Sequence, residues 1–179
     1  MKHLLYISTI FLFACQASIN DKQREELNYI QDLIDSSGYY ITSIDSVFAI
    51  DATKNFNSNI YYIKNKMVDT LDNNTMLFID KYYGLRKGFR KLGEKYLGTV
   101  AEFKISREQI ENLKHDINNG LVEPNQLDQY LELEKKNIEL VFESSKTIAR
   151  VNKSLVPLYN QMNPKIDSLI ESSKAKLKQ

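Results

Sequence analysis

From residue 20 onward, apolar residues recur at steps of three and four, the spacing of helices that each bury one face. A first helix opens at Asn20 or Asp21 as cap, carries Leu27, Ile30 and Ile34, and is expected to close at Ser36-Ser37-Gly38. Gly38 suits the left-handed position just past a helix end. A second helix, 39–70, carries Ile41, Ile44, Phe48, Ala52, Phe56, Ile60, Ile63 and Met67 on one stripe, and Asp72-Asn73-Asn74 makes the turn after it. The third helix, 75–103, has a heptad seam of Phe78, Tyr82, Leu85, Phe89, Leu92, Tyr96, Thr99 and Phe103. Ser106 with Gln109 three residues on has the capping-box pattern and predicts a short fourth helix ending at Asn118-Asn119-Gly120. Pro124 is placed for the first turn of a fifth helix.

Within that last helix a 3.5-residue repeat runs from Ile138 through Val141, Ser145, Ile148, Asn152, Leu155, Tyr159, Met162 and Ile166 to Leu169. Pro157 and Pro164 interrupt the sequence but not the seam. They are seven residues apart, and with Ile138 at position a both fall at f, furthest from the seam. A carbonyl freed there is solvated rather than buried. One long helix, bent twice, is therefore expected. Period-two runs of β-branched residues are absent, so no sheet is expected. The pattern predicts an all-α, elongated antiparallel bundle with coiled-coil-like packing, three long helices and two short ones.

The N-terminus has a different grammar. Lys2 precedes an apolar block from Leu4 to Ala14, about eleven residues long against the roughly 20 that a membrane-spanning helix needs. It reads as the core of an export signal. The run Leu12-Phe13-Ala14-Cys15 resembles the lipobox of bacterial lipoproteins. That resemblance implies removal of residues 1–14 as a signal peptide, acylation of Cys15, a lipidated tether over 15–20 and a helical domain over 21–179. Gln16 directly after the cysteine implies, within the same family, the outer membrane of a Gram-negative cell. An ordinary secretory signal would instead leave Cys15, the one cysteine of the chain, as a lone exported thiol. Residues 105–141 are also similar to helical lipoproteins of Bacteroidota, a likeness that implies no activity.

Composition narrows the chemistry. Without Lys2 the chain carries 23 basic and 23 acidic residues, a balance that points away from nucleic acid and from general attraction to anionic lipid. His115 is the one histidine beyond the signal, on a helix whose buried face should be Ile110, Leu113 and Ile117. A Ser-His-Asp arrangement would have to use it, and a di-iron bundle would need two Glu-x-x-His pairs. Asp51-Ala52-Thr53-Lys54-Asn55 begins like a calcium loop, but Phe56 replaces the glycine and Tyr62 the bidentate glutamate. Glu132, Glu134, Glu139 and Glu143, interleaved with Lys135 and Lys136, read as a solvated face. No enzyme, cofactor or metal is expected.

One segment departs from the neutral background. Residues 83–95 hold five cations, Arg86, Lys87, Arg90, Lys91 and Lys95, against Glu94, with Lys81 just before. Four of the six glycines, Gly84, Gly88, Gly93 and Gly98, fall in the same helix, each costing roughly 1 kcal/mol relative to alanine. Two readings follow: a docking surface for a partner or anionic ligand, or a solvated face paired with the acidic fifth helix, its glycines permitting close packing. The expected role is a non-enzymatic binding or scaffold lipoprotein with an envelope protein partner. Its alternative is a binder of an anionic envelope ligand, lipid head group or cell-wall fragment, through helix 81–95.

Overall fold

A computed structural model describes residues 19–67 and 71–177. Five helical segments carry the chain: α1 (Asp21–Thr42), α2 (Ser46–Asn65), α3 (Asn73–Tyr83), α4 (Arg86–Asn118) and α5 (Pro124–Lys176). Among the described residues there is no strand, and the protein is an all-α bundle. Cys15, the expected signal segment 1–14 and most of the expected tether lie outside the described residues, as do 68–70 at the expected end of the second helix.

Polar side chains start the helices where the sequence offers them. Asn20 closes a capping box on α1, its Oδ1 accepting from Gln23 N at 2.9 Å while Gln23 Oε1 accepts from Asn20 N at 3.0 Å. Asp45 caps α2 through Phe48 N, and Asp72 caps α3 through Asn74 N and Thr75 N. At the end of α4, Gly120 adopts φ 67°, while Leu121 N donates to Asp116 O. That left-handed residue closes the helix at the expected place.

Three expected boundaries are corrected. First, α1 does not end at Gly38. Its backbone stays helical to Thr42, and a Cβ on Gly38 would lie 3.2 Å from the Phe103 ring of α4, so this glycine serves close packing. The chain bends instead at Ser43–Asp45, and α2 begins at Ser46 rather than residue 39. Second, the expected third helix is interrupted at Gly84–Leu85. Leu85 N donates to Tyr82 O, a tightened turn, yet both residues keep right-handed helical angles. Consequently α3 and α4 join as one kinked rod that preserves the seam. Third, Ser106 caps nothing. It is buried inside α4, which runs unbroken to Asn118 because neither glycine nor proline occurs between Gly98 and Gly120.

α5 is continuous through both prolines, as its seam requires. Leu155, Tyr159 and Ile166 are buried and Met162 is half-buried, whereas Pro157 and Pro164 are exposed. The carbonyls freed belong to Lys153 and Asn160, themselves exposed residues. At 1.5 Å per residue its 53 residues extend about 80 Å.

Cross-helix contacts fix the topology. Gln23 reaches Asp128, Tyr29 reaches Glu139, Asn55 reaches Tyr159 and Asn59 reaches Asp167, so the α1–α2 rod runs parallel to α5. Tyr82 meets Asn163 and Gly88 meets Leu155, so the α3–α4 rod runs antiparallel to both. The five helical segments thus stack as an antiparallel, up-down-up bundle of three rods. Two cores lie end to end within it. One packs Ile30, Ile34, Ile110, Leu131 and Ile138, at the end where α1 begins. The other packs Phe56, Tyr82, Phe89, Leu92, Tyr159 and Ile166, at the end where α5 finishes.

Candidate functional site

The kink between α3 and α4 lifts a tyrosine and its surrounding cations to the surface. Tyr83 ends α3, and its hydroxyl accepts from Lys64 Nζ of α2 at 3.1 Å and from Arg86 Nη1 at 3.0 Å. The Lys64 ammonium also stands 4.4 Å from the ring centroid and the Arg86 guanidinium 5.7 Å. Hydrogen bonding from Lys64 holds the Tyr83 hydroxyl below its usual pKa, assisted by the nearby charge of Arg86. Tyr83, Gly84, Arg86, Lys87 and Arg90 line an open cleft of about 290 Å³.

Of the six cations singled out from sequence, Arg86, Lys87 and Arg90 converge on that cleft. Lys87 and Lys91 line a second one of about 240 Å³ facing α5, walled by Val151, Leu155 and Leu158. Lys81 and Lys95 are exposed and line neither. Lys64 was invisible in sequence because it lies 19 residues from Tyr83 on another helix.

The solvated-face reading paired these cations with the acidic part of the fifth helix, and that pairing is absent. Because α4 and α5 are antiparallel, residues 81–95 lie beside the later half of α5, around Leu155, whereas Glu132, Glu134, Glu139 and Glu143 sit in its earlier half. None of the four ion pairs found among the described residues involves Lys81, Arg86, Lys87, Arg90, Lys91 or Lys95. Glycine packing is borne out in part. A Cβ on Gly88 would meet Leu155 at 2.9 Å and one on Gly93 would meet Thr53 at 2.7 Å, while one on Gly98 would meet nothing within 4 Å.

Behind the kink lies a polar network that the sequence pattern did not disclose. Tyr82 donates its hydroxyl to Asn163 Oδ1 at 2.7 Å, Asn59 Nδ2 donates to Asn163 Oδ1 at 3.1 Å and to Asp167 Oδ1 at 2.7 Å, and Asn163 Nδ2 donates to Asp167 Oδ2 at 2.7 Å. Burial raises the pKa of the Tyr82 hydroxyl well above its ordinary value, so it stays a neutral donor. A satisfied network of this kind inside an apolar core fixes the register of α2 and α3 on α5.

His115 is exposed on α4, and Asp51 stands on the exposed face of α2. Among the described residues no three His, Cys, Asp or Glu side chains converge, and no helix is long and apolar enough to cross a membrane. Comparisons with protein-family models, with curated proteins and with solved structures find no match to this chain.

Proposed function

We propose that this protein is an envelope lipoprotein, held by an acylated Cys15 at the outer membrane, that works as a non-enzymatic scaffold whose long helices offer grooves and ends to an envelope protein partner. The topology of the rods carries the reading. α1 starts at the same end as the turn between α4 and α5, since Gln23 pairs with Asp128, and only Gln16 to Asn20 separate that end from Cys15. Five residues span at most about 17 Å. A lipid at Cys15 therefore keeps the end of the bundle where α1 begins close to the bilayer. Two or three acyl chains at roughly 0.8 kcal/mol per buried methylene make such an anchor stable.

Cys15→Ala tests the reading. The variant should lose its acyl mass and leave the membrane fraction while its helical circular dichroism is unchanged. Wild-type protein without an acyl chain by mass spectrometry would overturn it.

A second reading, recognition of an anionic ligand at the basic kink, is favoured by one observation: Arg86, Lys87 and Arg90 share a cleft without a carboxylate partner. Guanidinium pairs suit phosphate and carboxylate oxygens. Inorganic phosphate titrated into the protein should perturb the resonances of Tyr83 and Gly84, and Arg86→Ala with Arg90→Ala should remove the effect. Equal perturbation in the double variant rejects this site.

A further inference from the structure

The neutral total charge conceals a division along the rod. Around the core near the start of α1, described residues 19–43 and 101–145 carry 7 basic and 15 acidic side chains. Around the other core, 44–67, 71–100 and 146–177 carry 15 basic and 7 acidic. The two halves are mirror images in charge, at −8 and +8.

The α4–α5 groove, a row of three clefts that no α1 or α2 residue lines, has two of them in the acidic half and one in the basic half. In the acidic half it is walled by Glu102, Asp116 and Glu134. In the basic half it is walled by Lys87 and Lys91. Apolar side chains stand exposed along it in both halves: Ile105 and Leu140 at 57% and 64%, Tyr130 and Leu158 at 45% and 47%. Midway between Lys91 and Gln109, near Gly98, the α4 surface is open.

We propose that this groove is the interface for a second copy of the chain, laid antiparallel. A two-fold axis near the middle of the groove brings the acidic half of each copy onto the basic half of the other, with Lys87 and Lys91 facing the stretch that holds Glu134 and Asp116. Parallel pairing would set like charges together and is disfavoured by the same distribution. A free polyanion would engage the basic half alone, leaving Ile105, Tyr130 and Leu140 uncovered. The charge match is equal and opposite for a second copy, and its apolar groove covers the apolar groove of the first.

The test uses the full chain with Cys15→Ser in mild detergent, so that an introduced thiol is the only one. Sedimentation at about 0.05 M salt should give a dimer that weakens toward monomer at about 0.5 M, as screened charge pairs do. Lys91→Cys and Gln109→Cys chains should form a disulfide when mixed, and neither should do so alone. Gly98→Trp, pointing into open space within its own chain, should leave the helical spectrum intact and weaken the dimer about tenfold or more. A chain that stays monomeric at low salt, whether or not it retains an anionic ligand or a different protein, overturns the proposal. So does efficient self-crosslinking of Lys91→Cys alone, which would mean parallel copies.

Discussion

Glu134 stands half-buried on the groove wall, and its Oε2 is shielded from water without a hydrogen-bond partner. Desolvation raises its pKa above the ordinary carboxylate value, with Asn137 pulling the other way through a hydrogen bond. The folded chain thus binds more protons than the unfolded one between the ordinary and the raised value. Stability falls as pH climbs through that window and stays lower above it. Glu134→Gln should accordingly stabilise the fold at neutral pH, by less than about 1 kcal/mol because the group is partly solvated, and the gain should vanish at a pH below the ordinary carboxylate value. Urea denaturation at about 0.5 M salt, where contacts between copies are screened, measures it. An equal gain at both pH values would contradict the assignment. Single residues were legible in sequence where their role is local, as with Asn20, Asp72 and Gly120. They were illegible where the partner is distant: Gly38 reads as a helix stop until Phe103 is seen beside it, and Asn59 carries no signal of its own until Asn163, 104 residues away, accepts its hydrogen bond.

At the level of the helix, α5 shows how a heptad seam overrides two prolines. The seam holds the chain helical from outside the missing hydrogen bonds, because Leu155, Tyr159 and Ile166 are buried on the face opposite the breaks. Replacing both Pro157 and Pro164 with alanine should keep the fold and raise its stability by at least about 1 kcal/mol, since each restores a backbone bond that a helix interior otherwise lacks. Thermal unfolding followed by circular dichroism checks this. A loss of stability would mean that the bends are needed for α5 to follow its neighbours. Continuity here was readable because both prolines fall on one outer position. At Ser106 the opposite error arose, since a capping-box pattern inside an amphipathic run is satisfied equally well by a helix that never stops. The lack of any glycine or proline between Gly98 and Gly120 lets the unbroken helix win.

Across the whole molecule, fold class followed from periodicity alone, but the pairing of rods did not. Amphipathic stripes say that a helix has a buried face, not which helix covers it. For the same reason the candidate site was half legible: Arg86, Lys87 and Arg90 stood out as a local charge run, whereas the division into acidic and basic halves emerges only when residues 19–43 are set beside 101–145. The parallel alignment of α1–α2 with α5 also orders events in time. Gln23 finds Asp128, and Asn55 finds Tyr159, across more than a hundred intervening residues, so neither early helix can complete its packing until α5 has been made. Most helical bundles fold quickly because neighbours in sequence are neighbours in space. In this one the first and third rods must close a long loop, and the entropy of that closure delays the step in which both cores form. A chain crossing a membrane residue by residue would thus remain open until its last long helix had followed the rest through.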